Sequence, residues 1–159
     1  MIPFHFIRQT DGQIDHIETR LSGLDLIRSG KLNKGSAFSA DERERFGLLG
    51  KLPNQESTLE EQVARYYQQY QELQTDLSKN VYLNSLHDRN ETAFFKLVID
   101  NLKEMMPIVY TPTVGEAVEK FSLELRQPRG LFISYPDKAH IKDILTHRLN
   151  EHVDLILVT

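Results

Sequence analysis

The sequence predicts an α+β fold: a mainly helical domain over residues 23–127, then over 128–159 the first βαβ unit of a parallel α/β sheet, with residues 1–22 as an extension able to form a short β-hairpin. Three observations carry this. Ser39 with Glu42, Thr58 with Glu61 and Thr113 with Glu116 have the capping-box spacing, at which side chains and backbone satisfy each other's unpaired amides at a helix start. Apolar residues recur at helical spacing behind these starts. After Gly130 the pattern changes to continuous apolar runs on either side of an amphipathic stretch, as in strands covered on both faces.

The elements follow in chain order. Phe4 to Ile7 and Ile14 to Thr19 flank Asp11-Gly12, the common signal for a type I′ hairpin turn. Ser22 then caps a short helix, Gly23 to Arg28, and Gly30 to Gly35 is a loop. Behind Thr58, the residues Leu59, Val63, Tyr66, Tyr67, Tyr70 and Leu73 line one helical face, and the glutamines Gln68, Gln69, Gln71 and Gln74 lie toward solvent. A helix over Asp76 to Leu86 comes next. A longer one follows over Asn90 to Met106, with Phe94, Phe95, Val98, Leu102 and Met105 on its apolar face and Pro107 ending it. Thr113 to Leu125 is a further helix. Gly130 to Tyr135 reads as a strand, Asp137 to Arg148 as a helix with Ile141, Ile144 and Leu145 inward, and Asp154 to Thr159 as a second strand. A lone βαβ unit leaves its strands without neighbours, so the sheet is expected to be incomplete within these residues.

Composition narrows the function. At 159 residues and 40% hydrophobic content, the chain can enclose one compact core. It has no cysteine, which excludes disulfides, zinc-thiolate sites and thiol nucleophiles and fits a cytoplasmic setting. The net charge of −4 is spread in alternating signs with no basic block, so nucleic acid is not an expected partner. No apolar run approaches the roughly 20 residues that span a bilayer, and Met1 to Ile7 lacks signal-peptide character. No two glycines stand two residues apart, so the dinucleotide fingerprint is absent. His140 and His147 have no evident third metal ligand and read as solvated.

One segment is over-specified. In Met105-Met-Pro-Ile-Val-Tyr-Thr-Pro-Thr-Val-Gly115 two prolines bracket a short stretch ahead of a helix start, and the second biases Thr111 toward extended geometry. Tyr110 is thus expected on a stiff strand-to-helix connection. Rigid placement of its hydroxyl beside helix-terminal amides suits a proton donor or an anion-binding group. A packing tyrosine with its hydroxyl bonded is the other reading of the same residues.

The segments Leu32-Asn-Lys-Gly-Ser-Ala-Phe38, Glu44-Arg-Phe-Gly-Leu-Leu-Gly50, Asp88-Arg-Asn-Glu91, Met106-Pro-Ile-Val-Tyr-Thr-Pro-Thr-Val-Gly115 and Pro128-Arg-Gly-Leu-Phe-Ile-Ser134 resemble, in order and spacing, the amino-terminal domain of malic enzymes. The resemblance covers residues 24–159 and implies oxidative decarboxylation of L-malate to pyruvate and CO2, with NAD ahead of NADP and with Mg2+ or Mn2+ as Lewis acid. It puts on Tyr110 the role of general acid that protonates C3 of the enolate. A phenol, with a reference pKa of about 10, still holds its proton at neutral pH. The family's malate-binding arginine, catalytic lysine, acidic metal ligands and dinucleotide-binding domain follow in later sequence, so this chain alone is expected to be inactive and to bind neither cofactor nor metal. In fumarate-activated members, positions matching Gln62, Arg65 and Arg89 form an effector site near a subunit interface, and paired arginines suit a dicarboxylate. Those members carry glutamate where Ser57 stands here. The family also implies a homodimer or tetramer.

Two alternatives differ in class. Malolactic enzymes tend to carry Asp after the tyrosine, and Thr111 argues against that reading. A non-catalytic dimerisation or effector-binding module would use the helical part without chemistry.

Overall fold

The structure is a computed structural model that describes residues 4–123 and 130–147 together with Val153 and Ile156. The chain divides into two compact units, Met1–Arg126 and Gln127–Thr159, each described by itself. The fold is α+β, mostly helical with one small antiparallel sheet.

The hairpin forms from β1 (Phe4–Arg8) and β2 (Ile14–Thr19), with Phe6 opposite Ile17 and a register shift after Ile7. Its turn is not type I′. That turn needs positive φ at both central residues, whereas Gly12 alone takes it here (φ 85°) and Asp11 does not. Gly12 N–H donates to the Gln9 carbonyl (3.0 Å) and Gln9 N–H to the Gln13 carbonyl (2.8 Å), a type I turn closed by a glycine bulge.

A small cluster of Leu26, Phe38 and Leu48 joins α1 (Gly23–Arg28) to the segment around α2 (Ala40–Arg45). The larger core joins α3 (Leu59–Gln71), α4 (Asp76–Arg89), α5 (Glu91–Asp100) and α6 (Leu102–Val109) through Val63, Tyr70, Leu83, Leu86, Leu97, Met105 and Ile108. Each such side chain, fully buried, contributes about 1.5–3 kcal/mol relative to exposure. α4 packs against α3, α5, α6 and α7 (Thr113–Glu119), which makes it the central rod of the first unit.

The boxes at Ser39/Glu42 and Thr58/Glu61 form with both reciprocal bonds. Ser22 stands at the start of α1 without a side-chain cap bond. The third box does not form: Thr113 is the first residue inside α7 and is buried, so its hydroxyl is not ahead of the helix, and Pro112 takes the cap position. Two further caps form, Thr75 with Ser78 at α4 and Asn90, whose side chain accepts from Ala93 N–H at 3.0 Å, at α5.

The long helix expected over Asn90 to Met106 is two helices. Asn101 breaks it, with its side-chain amide donating to the Leu97 carbonyl (3.0 Å) where a helix would continue. The break redirects the apolar faces: Ala93, Leu97 and Val98 are buried, whereas Phe95 and Leu102 are exposed. Pro107 does not end the second helix, because the burial of Ile108 on the core holds two more residues in it. α7 is shorter than expected, closing at Lys120 into a 3-10 turn over Phe121–Leu123.

In the second unit residues 130–134 form no strand, since no described segment offers them a ladder partner. A 3-10 turn over Tyr135–His140 leads into α8 (Ile141–Thr146), so the helix expected from Asp137 starts later and tighter. Ile141 and Leu145, expected inward, are exposed. The second strand, 154–159, lies outside the described residues except for Ile156, which is in no strand. Among the described residues no helix is long and apolar enough to cross a membrane.

Candidate active site

Tyr110 stands on a turn of three residues between α6 and α7, not on a strand-to-helix connection. Both of its backbone groups are engaged: its N–H donates to the Met106 carbonyl (2.9 Å), and its carbonyl accepts from Val114 N–H (2.8 Å). The Thr111–Pro112 peptide is cis, and Gly115 N–H closes onto the Pro112 carbonyl at 3.1 Å. The backbone is thus pinned on both sides while the side chain is 61% exposed. A phenol sealed in the helical core would have been unable to meet a substrate.

The last turn of α6 is held from α4. Asn80, 2% exposed, donates its side-chain amide to the Ile108 carbonyl at 2.7 Å. One turn along α4, Asn84 donates to both the carbonyl (2.9 Å) and the side-chain oxygen (3.1 Å) of Asn80. The sequence signal for this pair was a polar residue at a core position, three before Leu83 and six before Leu86.

A second group of expected residues gathers around the loop from Gly30 to Ser36. Gln62 is buried and donates to the Lys34 carbonyl (3.1 Å). Arg65 donates to the hydroxyls of Ser57 (3.1 Å) and Ser36 (3.5 Å), which also bond each other. Arg89 donates to the Ser85 carbonyl (3.3 Å) along its own helix, and its backbone carbonyl accepts from the Asn33 amide (2.9 Å). Gln62, Arg65 and Arg89 therefore all touch one loop segment, Asn33–Ser36. Among the described residues no carboxylate pairs with Arg65, whose charge meets neutral hydroxyls instead.

Arg43, which sequence reading passed over, organises the same loop. It is 6% exposed and donates to the carbonyls of Phe38 (2.7 Å), Pro53 (2.7 Å), Ser36 (2.9 Å), Asn54 (3.1 Å) and Gln55 (3.4 Å). A guanidinium has five donors in a fixed fork, and here they tie the segment before Ser57 to the segment after Gly35. Glycine at two loop positions permits the close packing. A Cβ on Gly30 would lie 2.3 Å from the Asp88 carbonyl oxygen, and Gly35 has φ 57° with the Gln62 side-chain oxygen 2.5 Å from where its Cβ would be.

Among the described residues no three carboxylates or histidines converge, and His140 and His147 fall at opposite ends of α8.

Residues 87–159, which include Arg89 and Tyr110, match the model of the malic enzyme N-terminal domain. The chain is 51% identical over 138 residues to an NAD-dependent malic enzyme of Vibrio parahaemolyticus, covering 87% of this chain and 25% of that protein. Proteins of the same name from Acinetobacter baylyi (49% identical, 87% of this chain, 24% of the relative) and Colwellia psychrerythraea (51%, 87% and 25%) are similar to the same extent. The chain spans about a quarter of the length of these relatives. The family-model match and the identity of about half the residues over most of the chain agree: the chain belongs to the malic enzyme family and carries its amino-terminal domain.

Proposed function

We propose that this chain is the amino-terminal portion of an NAD-dependent malic enzyme that converts L-malate to pyruvate and CO2 in the cytoplasm, and that Tyr110 is its general acid. The observation that carries the reading is the exposed phenol on a backbone bonded on both sides, a donor with a fixed point of attachment and an open approach. Departure of CO2 from the oxidised substrate leaves an enolate, and Tyr110 would deliver its proton to C3 of that group. The sites for Mg2+ or Mn2+ and for NAD are assigned to further sequence of a longer protein, in keeping with the quarter of each relative that this chain matches. The proposed division of the chain is an extension at 1–22, a helical domain at 23–127 and the start of an α/β domain at 128–159. The full-length protein, as a homodimer or tetramer, incubated with malate, Mn2+ and NAD should yield NADH and pyruvate, and the 159-residue chain alone should yield neither. NADH formation by the chain alone would overturn this assignment, and lactate as product would indicate malolactic chemistry.

A second reading concerns Gln62, Arg65 and Arg89, favoured by their common attachment to Asn33–Ser36 and by the uncompensated guanidinium of Arg65. We propose that the two arginines bind a dicarboxylate effector and that Gln62, whose amide is engaged by Lys34, holds the loop beneath them. Addition of fumarate to the full-length protein should raise turnover, and Arg65→Ala should abolish the response. Turnover that fumarate leaves unchanged in the unmodified protein would refute this site.

A further inference from the structure

We infer that Asn80 is a positioning residue for Tyr110, acting through the Ile108 carbonyl with Asn84 as its brace; this rests on the reading of Tyr110 as general acid. A helix ends with carbonyls that lack partners inside the helix. In α6 the Met106 carbonyl is taken by Tyr110 N–H, and the Ile108 carbonyl is taken by the Asn80 amide from the neighbouring helix. α6 also contains Pro107, which has no N–H to give to the turn before it. Its last turn is therefore stabilised from outside, by a side chain two residues' length of backbone away from the phenol.

Asparagine is a costly choice for that position. It is a poor helix former, and a leucine would fill the core among Leu83, Leu86 and Ile108 without an amide to desolvate. What the amide adds is direction. A 2.7 Å bond fixes the next-to-last carbonyl of α6 relative to the central rod, and Asn84, bonded to both oxygens of Asn80, keeps the amide from rotating. Tyr110 is exposed, so no packing shell holds its ring in place. Its placement depends on the backbone that carries it, and small displacements of a reacting group cost rate steeply.

The test uses Asn80→Leu and Asn84→Ala in the full-length protein, with turnover kinetics and the 13Cζ resonance of Tyr110, identified by its loss in Tyr110→Phe. Asn80→Leu should move that resonance and lower kcat about tenfold while KM stays within about twofold, as for a group mispositioned in the transition state. Asn84→Ala should shift both readouts in the same direction and by less. An unmoved Tyr110 resonance in Asn80→Leu would overturn the positioning role. Should that variant fail to fold, an unchanged resonance and kcat in Asn84→Ala would overturn it equally. Near-normal turnover of Tyr110→Phe would instead refute the catalytic reading, a result separable from either of these.

Discussion

Arg43→Met removes a buried guanidinium and keeps most of its aliphatic bulk. Four of its donor distances, 2.7, 2.7, 2.9 and 3.1 Å, are good hydrogen bonds, and the fifth at 3.4 Å is long. Bonds from a charged donor are each worth about 1.5 kcal/mol net at the low end, which for four gives about 6 kcal/mol. Pro53 and Asn54 are exposed, so their carbonyls can turn to water, whereas the carbonyls at Phe38 and Ser36 belong to buried and half-buried residues. About half of the gross value should survive, roughly 3 kcal/mol, or about 10 °C in melting temperature for a unit of this size. Arg45→Met is the control: Arg45 meets Asp41 at 3.5 Å with both side chains exposed, and such pairs contribute about 0–1 kcal/mol. Thermal and urea unfolding of the two variants give the comparison. Equal losses in both would refute the idea that the carbonyl cage around Arg43 holds the loop from Gly30 to Ser57 together.

Other consequences follow from the same contacts. Gly30→Ala would put a methyl 2.3 Å from the Asp88 carbonyl oxygen, which is backbone and cannot swing aside; destabilisation of at least about 2 kcal/mol is expected, read as a lower denaturation midpoint, and an unchanged midpoint would contradict that close approach. Burial works to raise the Glu42 carboxyl, but bonds from the Lys34 ammonium and the Ser39 backbone outweigh it and hold the group below the ordinary glutamate range. The protons bound on acidification then favour the unfolded chain, so the Glu42 contribution is full above an ordinary glutamate pKa of about 4.3 and is lost as pH falls through the lower folded value. Glu42→Gln should therefore be less stable than the parent at pH 7 by about 1 kcal/mol, with the gap closing in acid; a gap independent of pH would show that Glu42 is not held as a carboxylate.

How far the sequence revealed these features depended on whether their cause was local. The hairpin between Phe4 and Thr19 and the boxes at Ser39 and Thr58 rest on residues a few positions apart, and they were legible. The turn type was not, because Asp11-Gly12 is compatible with two hairpin closures and the register shift after Ile7 decides between them. Asn101 fits the spacing of a long amphipathic helix, although its side chain competes with the backbone for the Leu97 carbonyl. Residues 130–134 carry strand composition without a strand, since a ladder requires a partner segment and composition does not supply one. At the candidate site, the prolines around Tyr110 predict a stiff connection after a strand, whereas the segment before it is helical, with Ile108 buried on the core, and Tyr110 sits on a three-residue turn between two helices. Asn80 and Arg43 escaped notice because their partners lie 28 residues away and on five backbone carbonyls respectively, contacts that no short motif encodes.

Turnover of the full-length protein carrying Tyr110→Phe bears most directly on the role of the exposed phenol. That substitution removes one oxygen from a side chain that is 61% exposed and packs little, so the protein should fold normally. Loss of a positioned acid should then lower pyruvate formation by about a hundredfold or more. Pyruvate formed at close to the parental rate would take Tyr110 out of the chemistry.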